Sequence, residues 1–401
     1  MKKGNLSRRI ALFSLGAFAL ASLMLVKRRS LSLETISVWP IILFTLFTFL
    51  AFCSIFWAND PALTFRRVIR FLFPLLGAFA IARRYTLRDL VILAFFVSLI
   101  YLIVGIFSEF VLGSFNPFKE GYRFCGTTHP NWQGWNCSML LFAALSLVKS
   151  EKRRWGFFLS IALGALTFLI LTKSRTSFIS AMLVILAWWV LVSSISKKLS
   201  WVTGVGFTFC LLLLLVGYNT FFPVLRHAVL LGREDPSTYA LTGRIPMWNA
   251  SMSYVAERPL LGHGFNSFWT KEHILKISSE LQSAIPEAHS GYIELLLGVG
   301  MLGLGLFLIV LGLASVRFLQ AYLGTHNHSV LFGLAMLLFC WLTMTTEVIA
   351  FAPSFPTFIV YALFFVNPRP KASEIYRTTS GSAKAKRAEL NRRLCWKGEE
   401  E

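Results

Sequence analysis

The sequence predicts an all-α, polytopic integral membrane protein with about 11–12 transmembrane helices. Hydrophobic residues make up 56% of the 401 residues and charged residues only 14%, whereas a soluble domain carries roughly 25% charged residues. Apolar runs recur along the whole chain, and a run of about 20 residues is long enough to cross the bilayer core of roughly 30 Å. Composition and run length together therefore indicate a helical membrane bundle.

Polar segments separate the apolar runs and divide the chain. In chain order the runs lie near Ile10–Val26, Ile36–Trp57, Val68–Ala82, Leu90–Leu112, Trp132–Val148, Trp155–Leu171, Phe178–Val192, Trp201–Tyr218, Gly291–Leu313, Val330–Phe351 and Phe355–Val366. The predicted organisation is N-terminal helices over 1–218, a large loop of short amphipathic helices over 219–290, C-terminal helices over 291–366, and a basic tail over 367–401.

The net charge of +20 is interpreted as topological, and no nucleic acid is expected as a partner. Lys and Arg cluster at 149–154, at 195–200 and in the tail from Pro368 to Glu401, and such clusters are typical of cytoplasmic loops. The tail either contacts anionic lipid or stays solvated. The cluster Lys27–Arg29 conflicts with this orientation, so the first run is expected to be interfacial or re-entrant, or one span is miscounted.

In that orientation four segments lie outside: 58–67, 113–131, 172–177 and 219–290. Two of them place an arginine at a helix start. Arg175 follows the turn Thr172–Ser174, and Arg244 precedes a stretch in which Ile245, Trp248, Met252 and Val255 recur at helical spacing. A guanidinium can bind a phosphate through two hydrogen bonds. Each arginine is therefore a candidate phosphate ligand, although a side chain that reaches lipid headgroups gives the same pattern.

Histidines and a carboxylate also lie at outer helix ends. His289 opens the ninth run and is a candidate general base, because the reference pKa of histidine lies near neutral pH. His129 ends another outer loop with Arg123 nearby, which suggests a loop that positions substrate. Glu347, near the outer end of the tenth run, could orient a histidine or arginine. A purely structural role is the alternative for each histidine, and a structural ion pair for Glu347.

The run from Arg258 to Phe265 reads Arg-Pro-Leu-Leu-Gly-His-Gly-Phe. Its Gly-x-Gly allows a tight turn but taken alone is weak evidence for a ligand. The six cysteines show no CxxC or metal-ligand spacing, so no metal site is predicted.

Several of these motifs, in this order, resemble the O-antigen polymerase/ligase superfamily over about residues 50–366. They are Trp57–Pro61 followed by Arg66 and Arg67, Ser174–Thr176, Gly243–Trp248, Arg258–Phe265 and His289–Glu294. The details of Arg258–Phe265 favour the exopolysaccharide-polymerase branch.

The resemblance implies a metal-independent, cofactor-free, inverting glycosyltransferase of the bacterial inner membrane with a periplasmic active site. Its partners would be an undecaprenyl-pyrophosphate-linked glycan, membrane lipids, and a glycan or lipid A-core acceptor. His289 takes the position of the base, and Arg175 and Arg244 take the pyrophosphate-contacting positions. His263 offers a second candidate base. Arg66, Arg123, His129, Arg258, His263 and Glu347 are the possible substrate-positioning residues.

Two other function classes compete with an enzyme. A transporter of lipid-linked glycan would place ionisable residues near the bilayer midplane, and here only Arg70 and Glu109 are expected there. A glycan-binding scaffold would not need a histidine beside the arginines. Within the enzymes, the sequence does not separate a polymerase from a ligase, because nothing in it identifies the acceptor.

Overall fold

The computed structural model describes residues 38–193, 244–282, 287–348, 351 and 354–368. These residues form eleven α-helices, and the all-α prediction is confirmed. They are α1 (Val38–Cys53), α2 (Pro61–Ala82), α3 (Leu87–Val111), α4 (Pro130–Ser150), α5 (Trp155–Leu171), α6 (Arg175–Val192), α7 (Arg244–Glu257), α8 (Lys271–Glu280), α9 (Gly291–Thr325), α10 (His328–Thr343) and α11 (Phe355–Phe365). Single 3₁₀ turns follow α1 (Ser54–Phe56) and precede α5 (Lys152–Arg154).

Nine of the eleven predicted spans coincide with helices, and the other two, Ile10–Val26 and Trp201–Tyr218, lie outside the described residues. Among the described residues, five stretches are long and apolar enough to cross a membrane, which is the pattern of a polytopic membrane protein: Val38–Phe56, Leu87–Val111, Lys152–Leu171, Arg175–Val192 and Gly291–Thr325. The helices α10 and α11 are apolar but shorter. The ninth run extends further than predicted, because α9 continues past Leu313 to Thr325.

Local sequence signals define where several helices begin. Asp60 caps α2 by accepting a hydrogen bond from the backbone N–H of Leu63 at 2.8 Å, and Pro61 follows as the first helical residue. Thr86 and Asp89 form a reciprocal capping box at the start of α3. His129 accepts from the backbone N–H of Asn131 at 3.3 Å, and Pro130 begins α4. These caps set the helix starts at the two ends of the bundle.

The helices α4 and α10 form the centre of the bundle, since most residues of each are buried on every side. A cluster of aromatic rings fills the neighbouring space between α1, α2, α9 and α11. Phe71 lies 5.1 Å from Phe265 between ring centroids, and Phe44 lies 5.1 Å from Phe364. Phe265 belongs to the predicted outer loop, so this core also holds part of that loop against the bundle.

The outer-loop run around Gly262 docks into a break in α9. At Gly300 the backbone leaves the helical conformation, with φ 66° and ψ −168°. The N–H groups of His263 and Gly264 donate to the carbonyls of Leu297 and Gly298, at 2.7 and 2.9 Å. Hydrogen bonds from Met301 and Leu302 to the carbonyls of Pro259 and Leu260 complete the join. The glycines here therefore permit direct backbone-to-backbone contact between the loop and α9.

The segments predicted to be outside meet at one end of the bundle. Trp57 donates its indole N–H to the carbonyl of Leu261 at 3.0 Å, and the backbone N–H of Phe124 donates to the carbonyl of Leu171 at 2.8 Å. We call this the site end. The opposite end carries the basic residues Arg83, Arg84, Arg88, Lys149, Lys152, Arg153 and Arg154 and an ion pair between Arg88 and Glu151. The bundle thus has chemically different ends.

Candidate functional site

His289 and Glu287 form a hydrogen-bonded pair immediately before α9. Nδ1 of His289 lies 3.2 Å from Oε1 of Glu287, and both side chains are partly exposed, at 37% and 46%. The hydrogen bond from His289 lowers the pKa of Glu287, and the nearby charges of His289, His129 and Arg244 act in the same direction. A carboxylate here fixes the imidazole orientation and leaves Nε2 for a substrate.

The backbone holds this pair in place. His289 has a positive φ of 47°, a conformation uncommon for a residue with a side chain. The N–H of Gly291, the first residue of α9, donates to the carbonyls of Met344 and Glu347 at 2.9 and 3.1 Å. The turn after α10 therefore anchors the segment that carries the histidine.

Glu347 is the centre of a polar chain. Its carboxylate lies 3.5 Å from the Arg244 guanidinium and accepts a 2.8 Å hydrogen bond from the side-chain amide of Asn131. The oxygen of Asn131 in turn accepts from Arg123 at 2.9 Å, and Arg123 also donates to the carbonyl of Thr172 at 3.0 Å. This hydrogen-bonded network connects four of the segments at the site end.

The helices that begin at Arg175 and Arg244 both start beside Thr346. Arg244, the first described residue of α7, donates to the carbonyl of Thr346 at 2.7 Å. Arg175 begins α6, and the hydroxyl of the next residue, Thr176, lies 2.7 Å from the hydroxyl of Thr346. The starts of α4, α6, α7 and α9 thus all contact the turn at Thr346 and Glu347 or lie next to a residue that does. Helix N-termini carry partial positive charge, so this arrangement favours an anion.

Six of the predicted site residues lie at this junction: Arg123, His129, Arg175, Arg244, His289 and Glu347. The other three lie apart from it. Arg66 is exposed, and its Nε donates to the carbonyl of Ala62 in its own helix at 3.1 Å. Arg258 is exposed and donates to the carbonyl of Trp57 at 2.9 Å.

His263 is the third predicted site residue that lies apart from the junction. It is only 2% exposed, and its Nε2 lies 2.9 Å from the carbonyl of Tyr254. Burial lowers its pKa. The roles assigned to all nine predicted site residues stay predictions.

Glu109, expected near the bilayer midplane, lies at the site end of α3. It accepts hydrogen bonds from the backbone N–H groups of Cys125 and Gly126, both at 2.8 Å, and from the hydroxyl of Tyr122 at 2.5 Å. Its carboxylate therefore fastens the loop that carries Arg123 and His129.

One face of the predicted amphipathic helix α7 packs against the protein. Met247, Ser251, Tyr254 and Val255 are buried, whereas Ile245 and Met252 are 48% and 45% exposed. Val255 is therefore the one buried residue among the four apolar positions at helical spacing.

Neither Glu287 nor Thr346 was predicted from the sequence to be a site residue. Glu287 stands two residues before His289, a spacing that could have suggested an acidic partner. Thr346 acts mainly through its backbone carbonyl, for which a sequence carries no signal. Within the described ranges, no group of three or more His, Cys, Asp or Glu residues could hold a metal ion.

A comparison with family models covers part of the chain that forms this site. Residues 157–308 match the model described as O-antigen ligase. These residues are similar to the O-antigen ligase family. The predicted resemblance is thereby confirmed, and a role in surface glycan assembly follows. The domain contains Arg175, Arg244 and His289, whereas Arg123, Asn131 and Glu347 come from segments outside it. No curated protein sequence matches the chain.

Proposed function

We propose that this protein transfers or polymerises a glycan from an undecaprenyl-pyrophosphate-linked donor onto an acceptor hydroxyl. The observation that carries the proposal is the position of the His289–Glu287 pair beside the junction of Arg123, Arg175 and Arg244. A base and a set of anion-binding groups side by side are what such a transfer needs.

The anion-binding groups suit a diphosphate leaving group. Charge grows on the diphosphate as the glycosidic bond breaks, and guanidinium groups and helix N-termini fixed in advance can stabilise it. Arg244 is held by Thr346 and Glu347 and is still 22% exposed, so it can reach a ligand. The proposal therefore assigns the charge stabilisation to these groups, without a metal or a cofactor.

The reaction step uses Nε2 of His289, the ring nitrogen that Glu287 does not contact. The acceptor hydroxyl oxygen attacks the anomeric carbon and forms the new glycosidic bond. The bond from that carbon to the diphosphate oxygen breaks, the lipid diphosphate leaves with the electron pair, and the hydroxyl proton passes to Nε2 of His289. Glu287 stabilises the imidazolium that forms. A single displacement of this kind inverts the anomeric centre.

The proposed location is the bacterial inner membrane, with the site end facing the periplasm. The basic residues at the opposite end support this orientation, because cytoplasmic loops carry an excess of Lys and Arg. The O-antigen ligase domain supports one alternative acceptor, the sugar of a lipid A-core.

Transfer by the purified protein tests the proposal. Full-length protein, a lipid-diphosphate-linked donor and a glycan acceptor should yield product and release the lipid diphosphate. His289→Ala should slow this transfer by roughly 10²–10⁴-fold, the range for loss of a general base, at unchanged unfolding temperature. Near-normal transfer by His289→Ala would remove the histidine from the reaction, and loss of wild-type transfer on adding a chelator would refute the metal-free step.

A further inference from the structure

A cavity of about 260 Å³ lies beside the His289–Glu287 pair. Its polar wall consists of Arg67, Arg70, Asn266, Trp269, Glu287 and Glu294, and most of the remaining wall is aromatic. Sites for drug-sized ligands have volumes of roughly 300–1,000 Å³, so this cavity suits a single sugar ring. Glu287 both lines the cavity and binds His289, so a molecule held in the cavity lies next to the proposed base.

The two carboxylates of the cavity already have partners. Glu294 is buried and accepts from the indole N–H of Trp269 at 2.6 Å and from the backbone N–H of Ala288 at 2.7 Å. Glu287 is bound by His289. Both carboxylates therefore already accept hydrogen bonds from groups of the protein itself.

The two arginines of the cavity differ. Arg67 donates to the carbonyl of Asn266 and interacts electrostatically with both Glu294 and Arg70. Arg70 is exposed and has no hydrogen-bond or ion-pair partner in the part of the chain that the structure describes. Two guanidinium groups on one wall repel each other, and an anion between them relieves that repulsion.

The wall also has the composition of a saccharide site. Aromatic side chains such as Phe71, Phe265 and Trp269 supply apolar faces, and a small number of polar groups fix orientation, as in other small-molecule sites. Pro74, one helical turn after Arg70, lines the same wall and has no N–H to pair with the carbonyl of Arg70.

We propose that this cavity binds the acceptor sugar and that this sugar carries an acidic group, a carboxylate or a phosphate, which Arg70 and Arg67 bind. The inference rests on the proposed function and specifies its acceptor. Acceptors with an acidic group would be preferred over neutral ones.

Binding of small probes to the full-length protein in nanodiscs tests this inference. The probes are a glucuronate-terminated disaccharide and its neutral methyl ester, titrated by calorimetry. A lost charge-assisted hydrogen bond weakens binding about 10- to 100-fold, so the acid should bind at least about 10-fold more tightly than the ester. Arg70→Gln should abolish that preference at unchanged unfolding temperature, because Arg70 has no hydrogen-bond or ion-pair partner among the described residues.

Arg84→Gln is the matched control. It removes one exposed positive charge near the other end of the same bundle and should keep the preference. Equal affinities for acid and ester in the wild type, or a preference that survives Arg70→Gln, would overturn the inference.

Binding of inorganic pyrophosphate distinguishes the cavity from the proposed diphosphate site at Arg244. Its affinity should fall in Arg244→Ala and stay unchanged in Arg70→Gln. The opposite result would assign the cavity to the carrier diphosphate and refute the inference. Glycan transfer with equal rates to acidic and neutral acceptors would also refute it while leaving the proposed function intact. Arg70-dependent binding of the acid without any transfer would refute the proposed function alone.

Discussion

Nδ1 of His289 lies 3.2 Å from Oε1 of Glu287, and the backbone of His289 adopts a positive φ to place it there. Such conformations persist where the surroundings enforce them, and they cluster at functional sites. Here the enforcing contacts are the hydrogen bonds of Gly291 to the turn after α10.

Glu287→Gln should lower the rate of transfer by at least about 10-fold, because an amide does not stabilise the imidazolium that forms. The half-exposed carboxylate contributes little to folding, so the unfolding temperature should stay at the wild-type value. Steady-state kinetics should show a fall in kcat with little change in the KM of the lipid-linked donor. A change confined to KM would mean that Glu287 binds substrate instead of positioning the histidine.

Arg244→Ala should destabilise the protein by about 2–3 kcal/mol, because it leaves the largely buried Glu347 without its cation. Arg244→Ala combined with Glu347→Gln should recover stability, since the uncompensated charge is gone. The double variant should still lack transfer if Arg244 binds the diphosphate. Thermal unfolding and the transfer assay, run on both variants, separate the two roles. Recovered transfer in the double variant would make Arg244 a structural residue only.

Gly300→Ala should destabilise the protein by about 3 kcal/mol or more. A Cβ at this position would lie 2.2 Å from the carbonyl carbon of Leu260, and the φ of 66° disfavours any side chain. Gly305→Ala in the same helix is the matched control, because a Cβ there meets nothing within 4 Å. Its unfolding temperature should equal or exceed the wild-type value. Equal tolerance of both substitutions would contradict the break in α9.

Stability should fall as the pH drops below about 6.5, and His263 should contribute to this loss. Burial lowers the pKa of His263, so the folded protein keeps a neutral ring. The unfolded chain, with a reference pKa near 6.5, binds the proton more readily, which favours unfolding at acid pH. His263→Gln can still donate to the carbonyl of Tyr254. Thermal unfolding between pH 7 and pH 5 should show a shallower dependence in this variant, and an unchanged slope would exclude His263 as a contributor.

Orientation can be tested with single cysteines at the two ends. Glu120→Cys, in the loop before α4, should react with a membrane-impermeant thiol reagent in intact spheroplasts. Arg153→Cys, at the basic end, should react only after lysis. The reverse pattern would place the candidate site in the cytoplasm and overturn its assignment to the periplasmic face.

The sequence predicted the helices because long apolar runs leave few alternatives in a membrane protein. It also selected Arg244 and His289, which stand at helix starts. It could not reveal that Glu347 binds Asn131, because the two lie 216 positions apart and meet only through the packing of α4 and α10. Nor could it separate Arg66 from Arg67, since their exposure depends on how α2 rotates against its neighbours. Gly300 is one of four nearby glycines, and only the backbone shows which of them interrupts the helix.

The docked run around Gly262 has a consequence for biogenesis. Peptide groups flanking the break in α9 are hydrogen-bonded to a segment that is synthesised before α9, and in the proposed orientation this segment crosses the membrane first. Until that segment docks against α9, these backbone N–H and C=O groups lack the hydrogen bonds that it provides. In hydrocarbon each unpaired group costs several kcal/mol. If the proposed orientation holds, stable insertion of α9 would therefore depend on prior translocation of the preceding loop.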